Sequence, residues 1–160
     1  TPQSVKVEEV SASDDRPEYH VPATEYAVYT GPALEEEILA KLVWGEARGC
    51  SATEQAAVVW CVLNRVDDGQ GDIVEVATAP SQFVGYDPDN PVEPGLLSLV
   101  QDVLDRWYME TTNSGEVGRV LPEEYLFFTG NGTSNVFRTE YMGGDVWDWS
   151  LPSPYEEGAL

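Results

Sequence analysis

The sequence predicts a mainly helical α+β fold, a single domain that ends in a short antiparallel β-hairpin or sheet. Three observations carry this. Apolar residues recur at helical spacing in three segments between Ala33 and Glu110. An aromatic run and an alternating run then flank the turn signal Gly130-Asn-Gly132. The chain has 160 residues and 42% hydrophobic content, enough for one real core without staples.

The first helix is expected from about Ala33 to Arg48. Pro32 suits a first-turn position, and Glu35, Glu36 and Glu37 suit the positive end of the helix. Glu37 and Lys41 form a favourable pair one turn apart. Ile38, Leu39, Leu42 and Val43 make the apolar stripe, and Gly49 is placed to stop the helix. A second helix is expected from about Thr53 to Val66, opened by the capping spacing of Ser51 and Glu54. Its run from Ala56 to Leu63 is apolar nearly all round, which marks a buried central helix.

A loop-rich stretch follows, with one helical turn around Ile73 to Thr78 and punctuation at Pro80, Gly85, Pro88, Pro91 and Pro94. A third long helix is expected from about Gly95 to Glu110. It shows Leu96, Val100, Val103, Leu104 and Trp107 on one face, and Asp102 can pair with Arg106. The hairpin is expected from Tyr125–Thr129 and Val136–Tyr141. The residues from Gly143 onward read as irregular, with Trp147 and Trp149 packing a C-terminal strap.

Composition removes whole function classes. The 29 acidic side chains face only two Lys and six scattered Arg, for a formal charge of −21. Binding phosphate needs clustered cations, so nucleic acid and anionic membranes are disfavoured. The longest apolar run, Ala56 to Leu63, is far below the ~20 residues that span a bilayer. Residues 1–30 carry six acids, two bases and three prolines and read as a tail or linker; Tyr19, Tyr26, Val28 and Tyr29 give its last part something to pack with. Residues 31–160 form the domain. The chain opens on Thr1 and is expected to be a trimmed or a processed product, so that any export signal or anchor would lie outside the sequence.

No metal or other cofactor is expected. There is no H-x-x-H, and one histidine, His20, cannot build a zinc centre. Cys50 and Cys61 stand about 16 Å apart along helical rise, beyond the ~7 Å a disulfide allows. A monomer is expected.

One carboxylate stands out. With Leu39 at zero on a wheel of ~100° per residue, Leu42 falls near ~300°, Val43 near ~40° and Glu46 near ~340°. Glu46 therefore sits in the core-facing stripe, at the negative end of the helix. Apolar neighbours and the helix terminus both favour the protonated form of a carboxyl group placed so, which is the state a general acid needs. The wheel also allows a Glu that turns out to water or pairs with Arg65.

The segments Leu39-Ala-Lys-Leu-Val-Trp-Gly-Glu-Ala-Arg-Gly49 and Gln55-Ala-Ala-Val-Val-Trp-Cys-Val-Leu-Asn-Arg65 resemble the opening of the SleB-type cell wall hydrolases. Their order and linked spacing match, and Ser81-Gln-Phe83 and Leu126-Phe-Phe128 resemble later elements of that family. The likeness runs from about Leu34 to Tyr141. It implies a lysozyme-like peptidoglycan lytic transglycosylase, extracellular or wall-associated. Such an enzyme cleaves the β-1,4 bond between N-acetylmuramic acid and N-acetylglucosamine, with Glu46 as its general acid and base. Glycan strands are the implied partner.

Candidate sugar contacts are Gln82, Phe83, Tyr86, Phe128 and Trp44, since aromatic faces stack on pyranose rings and amides bond hydroxyl and acetamido groups. Asn64 and Arg65, ending the buried helix, are assigned structural support. No convincing second acid is present; Asp87 and Asp89 read more simply as solvated turn residues. The chain departs from the family pattern at Cys50, where an acid is frequent, and in the late segment Asn135 to Tyr141, which lacks histidine. A peptidoglycan-binding module with little turnover stays open beside the enzyme, as does an acidic decoy for basic proteins.

Overall fold

A helix that is apolar on every side must be surrounded, and the rest of the domain does this. The computed structural model describes residues 3–4, 27–28, 31–80, 82–112, 115–131 and 133–156. The elements in order are β1 (Gln3–Ser4), β2 (Ala27–Val28), α1 (Leu34–Ala47), α2 (Ala52–Asp67), α3 (Ile73–Thr78), α4 (Pro94–Thr112), β3 (Phe127–Gly130), β4 (Asn135–Glu140) and β5 (Gly143–Val146). Every residue of α2 from Ala56 to Arg65 is buried. Helices α1, α3 and α4 pack on it, and β3 touches its far end. The architecture is mainly helical α+β with a small antiparallel sheet, as expected.

The chain divides into two units, Thr1–Pro32 and Ala33–Leu160. In the first, β1 pairs antiparallel with β2, Gln3 opposite Val28 and Ser4 opposite Ala27. The rest of residues 1–30, including Tyr19, His20, Tyr26 and Tyr29, lies outside the described residues, as do Ser81 and Gly132.

Helix boundaries follow local chemistry, with three differences from expectation. Helix α1 starts at Leu34 behind the cap Ala33, so Pro32 precedes it. Gly49 takes no left-handed conformation; Arg48 continues the right-handed turn and the Cys50 N–H closes on the Ala47 carbonyl at 2.9 Å. The cap of α2 is only half the expected box. Ser51 Oγ accepts from Glu54 N at 3.2 Å, but the Glu54 carboxylate turns away and accepts from Asn135 N at 3.1 Å, tying the hairpin to the helix. Helix α2 ends through Gly69, whose φ of 88° is one that L side chains rarely adopt. The expected Glu37–Lys41 and Asp102–Arg106 pairs form, at 2.9 Å and 2.7 Å.

The sheet has three strands in the order β3-β4-β5, all antiparallel. Phe127 faces Arg138 across the first pair and Phe128 faces Phe137. The third strand corrects the expectation that the chain is irregular from Gly143. Gly143-Gly-Asp-Val carries no apolar alternation. It pairs because the turn at Tyr141-Met142, with Met142 at φ 60°, folds the backbone straight back on β4. Downstream, Trp147 is buried against Tyr125, ring centres 5.4 Å apart, and Trp149 meets the Phe137 ring edge-on at 5.5 Å.

Both cysteines are free, as expected, and total burial pushes the Cys61 thiol up to about 12. Beyond Trp149 the strap is pinned by polar contacts. Thr53 and Ser153 hydroxyls meet at 2.7 Å, and the Tyr155 hydroxyl donates to Asp102 Oδ2 at 2.6 Å. Burial alone raises a carboxyl group like Asp102. The Arg106 guanidinium and the Tyr155 hydroxyl overcome it and hold Asp102 below the ordinary carboxylate range.

A folded-state value that is lowered adds stability above the ordinary carboxylate range, and this is lost as pH falls through the lowered value. Tyr155→Phe removes one of the two donors. The acid-unfolding midpoint, followed by near-ultraviolet circular dichroism, is expected to move to higher pH. An unchanged midpoint would show that the strap contact adds nothing to acid stability.

Candidate functional site

Glu46 lies in the last turn of α1 and is half-buried. Its Oε2 accepts a hydrogen bond from the Gly85 backbone N–H at 2.7 Å. Two glycines make this possible. A Cβ on Gly45 would overlap the Gly85 carbonyl, and a Cβ on Gly85 would lie 2.7 Å from the Gly45 carbonyl carbon and 3.0 Å from the Glu46 carboxyl carbon. The loop after α3 can reach the carboxylate only because both chains are bare there. Asn90 then locks the approach, its Nδ2 donating to the carbonyls of Lys41 and Gly85, both at 3.0 Å. Lys41 Nζ adds a bond to the Pro88 carbonyl at 2.8 Å.

Glu46 opens on a cleft of about 410 Å³ walled by Gln82, Val84 and Gly85 on one side and by Phe128, Thr129 and Gly130 on the other. It is the only carboxylate among the described residues of this lining. A second recess of about 370 Å³ shares Gln82, Phe128 and Thr129 with it and runs on past Arg65 to Arg138 and Tyr141. The two recesses adjoin through these three residues.

The end of α2 supports both walls. Asn64 Nδ2 donates to the carbonyls of Pro122 and Tyr125, both at 2.9 Å, while its Oδ1 accepts from Arg119 at 2.7 Å. Arg65 Nε donates to the Leu126 carbonyl at 2.6 Å and its Nη1 to Gln82 Oε1 at 2.8 Å. Arg65 therefore bonds Gln82 rather than Glu46. With the Gln82 oxygen occupied, its amide N–H groups remain for a ligand.

The other expected sugar contacts fall elsewhere. Phe83 is only 5% exposed, beneath the Arg65 guanidinium at 4.7 Å and beside Phe128 at 5.8 Å; it supports the wall from behind. Tyr86 packs partly into the core and lines neither recess. Trp44 lines a separate cavity of about 730 Å³ formed with α4 and Tyr155, and Arg48 lies 4.0 Å over its ring. The reason is rotation: two residues before Glu46 is roughly 200° around the helix. Asp87 accepts from Asp89 N at 2.8 Å within an exposed turn, and neither lines the cleft.

Sequence reading missed Gly45, Gly85, Asn90 and Thr129. The signal for the glycines was present in the motif Trp-Gly-Glu, since a Gly inside a helix marks a close backbone approach.

Gly45→Ala is expected to force the 82–90 loop off α1. Overpacking of this kind costs about 1–3 kcal/mol, readable by denaturant unfolding. The Gly85 amide should also exchange with solvent faster, seen by hydrogen exchange. Unaltered protection at Gly85 would overturn the contact.

No family model, no curated protein and no solved structure matches this chain.

Proposed function

We propose that the protein is a peptidoglycan lytic transglycosylase. The observation that carries this is the setting of Glu46. It is a lone carboxylate, fixed through one oxygen by a backbone N–H, in an open cleft walled by an amide and an aromatic ring and adjoined by a second recess. Hydrolysis by two carboxyls places the pair about 5–5.5 Å apart in retaining enzymes or about 6.5–9.5 Å apart in inverting ones. No second carboxylate lines the cleft among the described residues. One carboxyl group suffices when the sugar itself supplies the second nucleophile.

The steps follow. Protonated Glu46 gives its proton to the bridging oxygen as the bond to the muramic C1 breaks, and the N-acetylglucosamine side leaves as an alcohol. The positive charge that develops on the muramic ring is stabilised by amide dipoles, from the substrate's own acetamido group or from Gln82. Glu46, now a carboxylate, takes the proton of the muramic 6-hydroxyl. That oxygen closes on C1 to give a 1,6-anhydro sugar, and Glu46 is restored to its acid form. The Gly85 N–H keeps Oε2 in place throughout, so one carboxyl group serves both transfers without reorienting.

The resemblance of the segments around Glu46 and Arg65 to SleB-type hydrolases agrees with this reading. The extracellular or wall-associated setting belongs to the same proposal.

Glu46→Gln keeps an oxygen for the Gly85 N–H but cannot transfer a proton. Release of anhydro-muropeptides from purified peptidoglycan, followed by mass spectrometry, is expected to fall about 10²–10⁴-fold. Activity that survives would sink the assignment of Glu46. Products bearing only reducing ends, lost in the variant, would keep Glu46 but replace the mechanism with hydrolysis. Polymer binding with no product from the native chain would leave a binding module.

A further inference from the structure

The charge layout within the groove points beyond the cleavage step. Residues 31–160 carry 23 acids and only six bases. Three of those bases sit beside carboxylates: Lys41 with Glu37, Arg106 with Asp102 and Arg119 with Glu110, at 2.9, 2.7 and 2.8 Å. Arg48 lies over Trp44, away from the groove. The remaining two, Arg65 and Arg138, line the same recess, and that recess holds no carboxylate among its described lining residues. In a domain with nearly four acids for every base, this is where a counter-charge is missing.

The two arginines are prepared differently. Arg65 is 5% exposed and rigid. Its Nε and Nη1 are spent on Leu126 and Gln82, its plane lies over Phe83 and Phe127, and its other neighbour is the Cys61 thiol, so no anion balances it among the described residues. Arg138 stands on β4 opposite Phe127, half-buried, and its side chain makes no hydrogen bond or ion pair with the described residues. A buried guanidinium without an anion is costly, and the cost is offset when a ligand brings one. The far wall of the recess is apolar: Tyr141 and Met142 are 77% and 73% exposed there, held out by the tight turn. A recess with cations at its base and apolar groups at its rim fits an aliphatic group that bears a carboxylate.

We infer that the Arg65–Arg138 recess binds a carboxylate of the stem peptide carried by the glycan strand, and so selects peptide-bearing strands for the Glu46 cleft. This rests on the transglycosylase reading for the identity of the polymer. The recess adjoins the cleft through Gln82, Phe128 and Thr129, so a side branch of the strand lying across Glu46 reaches it.

The test compares three preparations of soluble glycan strands: stem-bearing, stripped of stems by an amidase, and stem-bearing with carboxylates converted to neutral amides by carbodiimide coupling. Binding is measured on the Glu46→Gln chain and cleavage on the native chain. A charge-assisted contact predicts about tenfold or more tighter binding of stem-bearing than of amidated strands, weakening with salt. Arg138→Gln in the same background is expected to bring that preference close to one. Arg138→Lys, which keeps the charge but not the fork, should retain part of it.

A preference that persists in Arg138→Gln, or none in the parent, overturns the inference. Stripped strands binding as tightly as stem-bearing ones, with the same Arg138 dependence, would assign the anion to the lactyl carboxylate of the sugar and overturn the stem assignment. The expected binding pattern with no cleavage by the native chain would uphold the recess while removing the transglycosylase reading.

Discussion

A buried polar pair at the end of α2, Asn64 and Arg65, sets the geometry on which the groove depends. Both side chains are almost wholly enclosed, at 1% and 5% exposure. Neither can be left unbonded at that depth without losing about 1–3 kcal/mol per orphaned group. Their partners are therefore obligatory: the carbonyls of Pro122, Tyr125 and Leu126 on the approach to β3, the Arg119 guanidinium, and the Gln82 side chain on the opposite wall. One helix end thus fixes the positions of both walls. The apolar remainder of α2 supplies the burial that makes the bonds strong; the bonds supply the direction that burial lacks.

Glu46 is reached by the opposite means, the removal of side chains. Gly45 costs helix stability, of order 1 kcal/mol against Ala. What it permits is backbone contact between α1 and the 82–90 loop, which brings a fixed N–H to the carboxylate. The expense falls beside Glu46 and nowhere else in α1, whose buried positions are filled by Ile38, Leu39, Ala40, Leu42, Val43 and Ala47. Local propensity yields there to a tertiary backbone contact.

Much of this was legible because it is periodic. The three long helices, the short α3 and strands β3 and β4 follow from apolar spacing, caps and turn residues, which act over a few neighbours. The features that were not legible arise between distant segments. Glu54 looked like half of a capping box, but the Asn135 amide, 81 residues later, competes for it. Strand β5 has no side-chain signature because its pairing is specified by the turn before it. Phe83 and Tyr86 carry the aromatic character of sugar contacts, yet only tertiary packing decides which ring faces the groove, and it chose Phe128. Trp44 was within reach of sequence logic: the wheel that turned Glu46 inward also turns Trp44 away.

The acidity of the chain and an anionic polymer are compatible once distance is considered. At physiological ionic strength charges more than ~8 Å apart across solvent are largely screened. Asp105 of α4 and Asp87 and Asp89 of the turn face solvent outside the lining of both recesses, and Asp102 and Glu110 are paired with arginines, so their repulsion of a strand is damped. On the proposed reading Arg65 and Arg138 would act at contact distance in a recess that partly excludes water, where screening is weak and each charge counts for more. An overall excess of negative charge then slows the encounter but does not govern the bound state. On the proposed reading the same excess adds discrimination: a strand gains little by resting anywhere else on this surface, and the groove is where its negative charge meets positive charge.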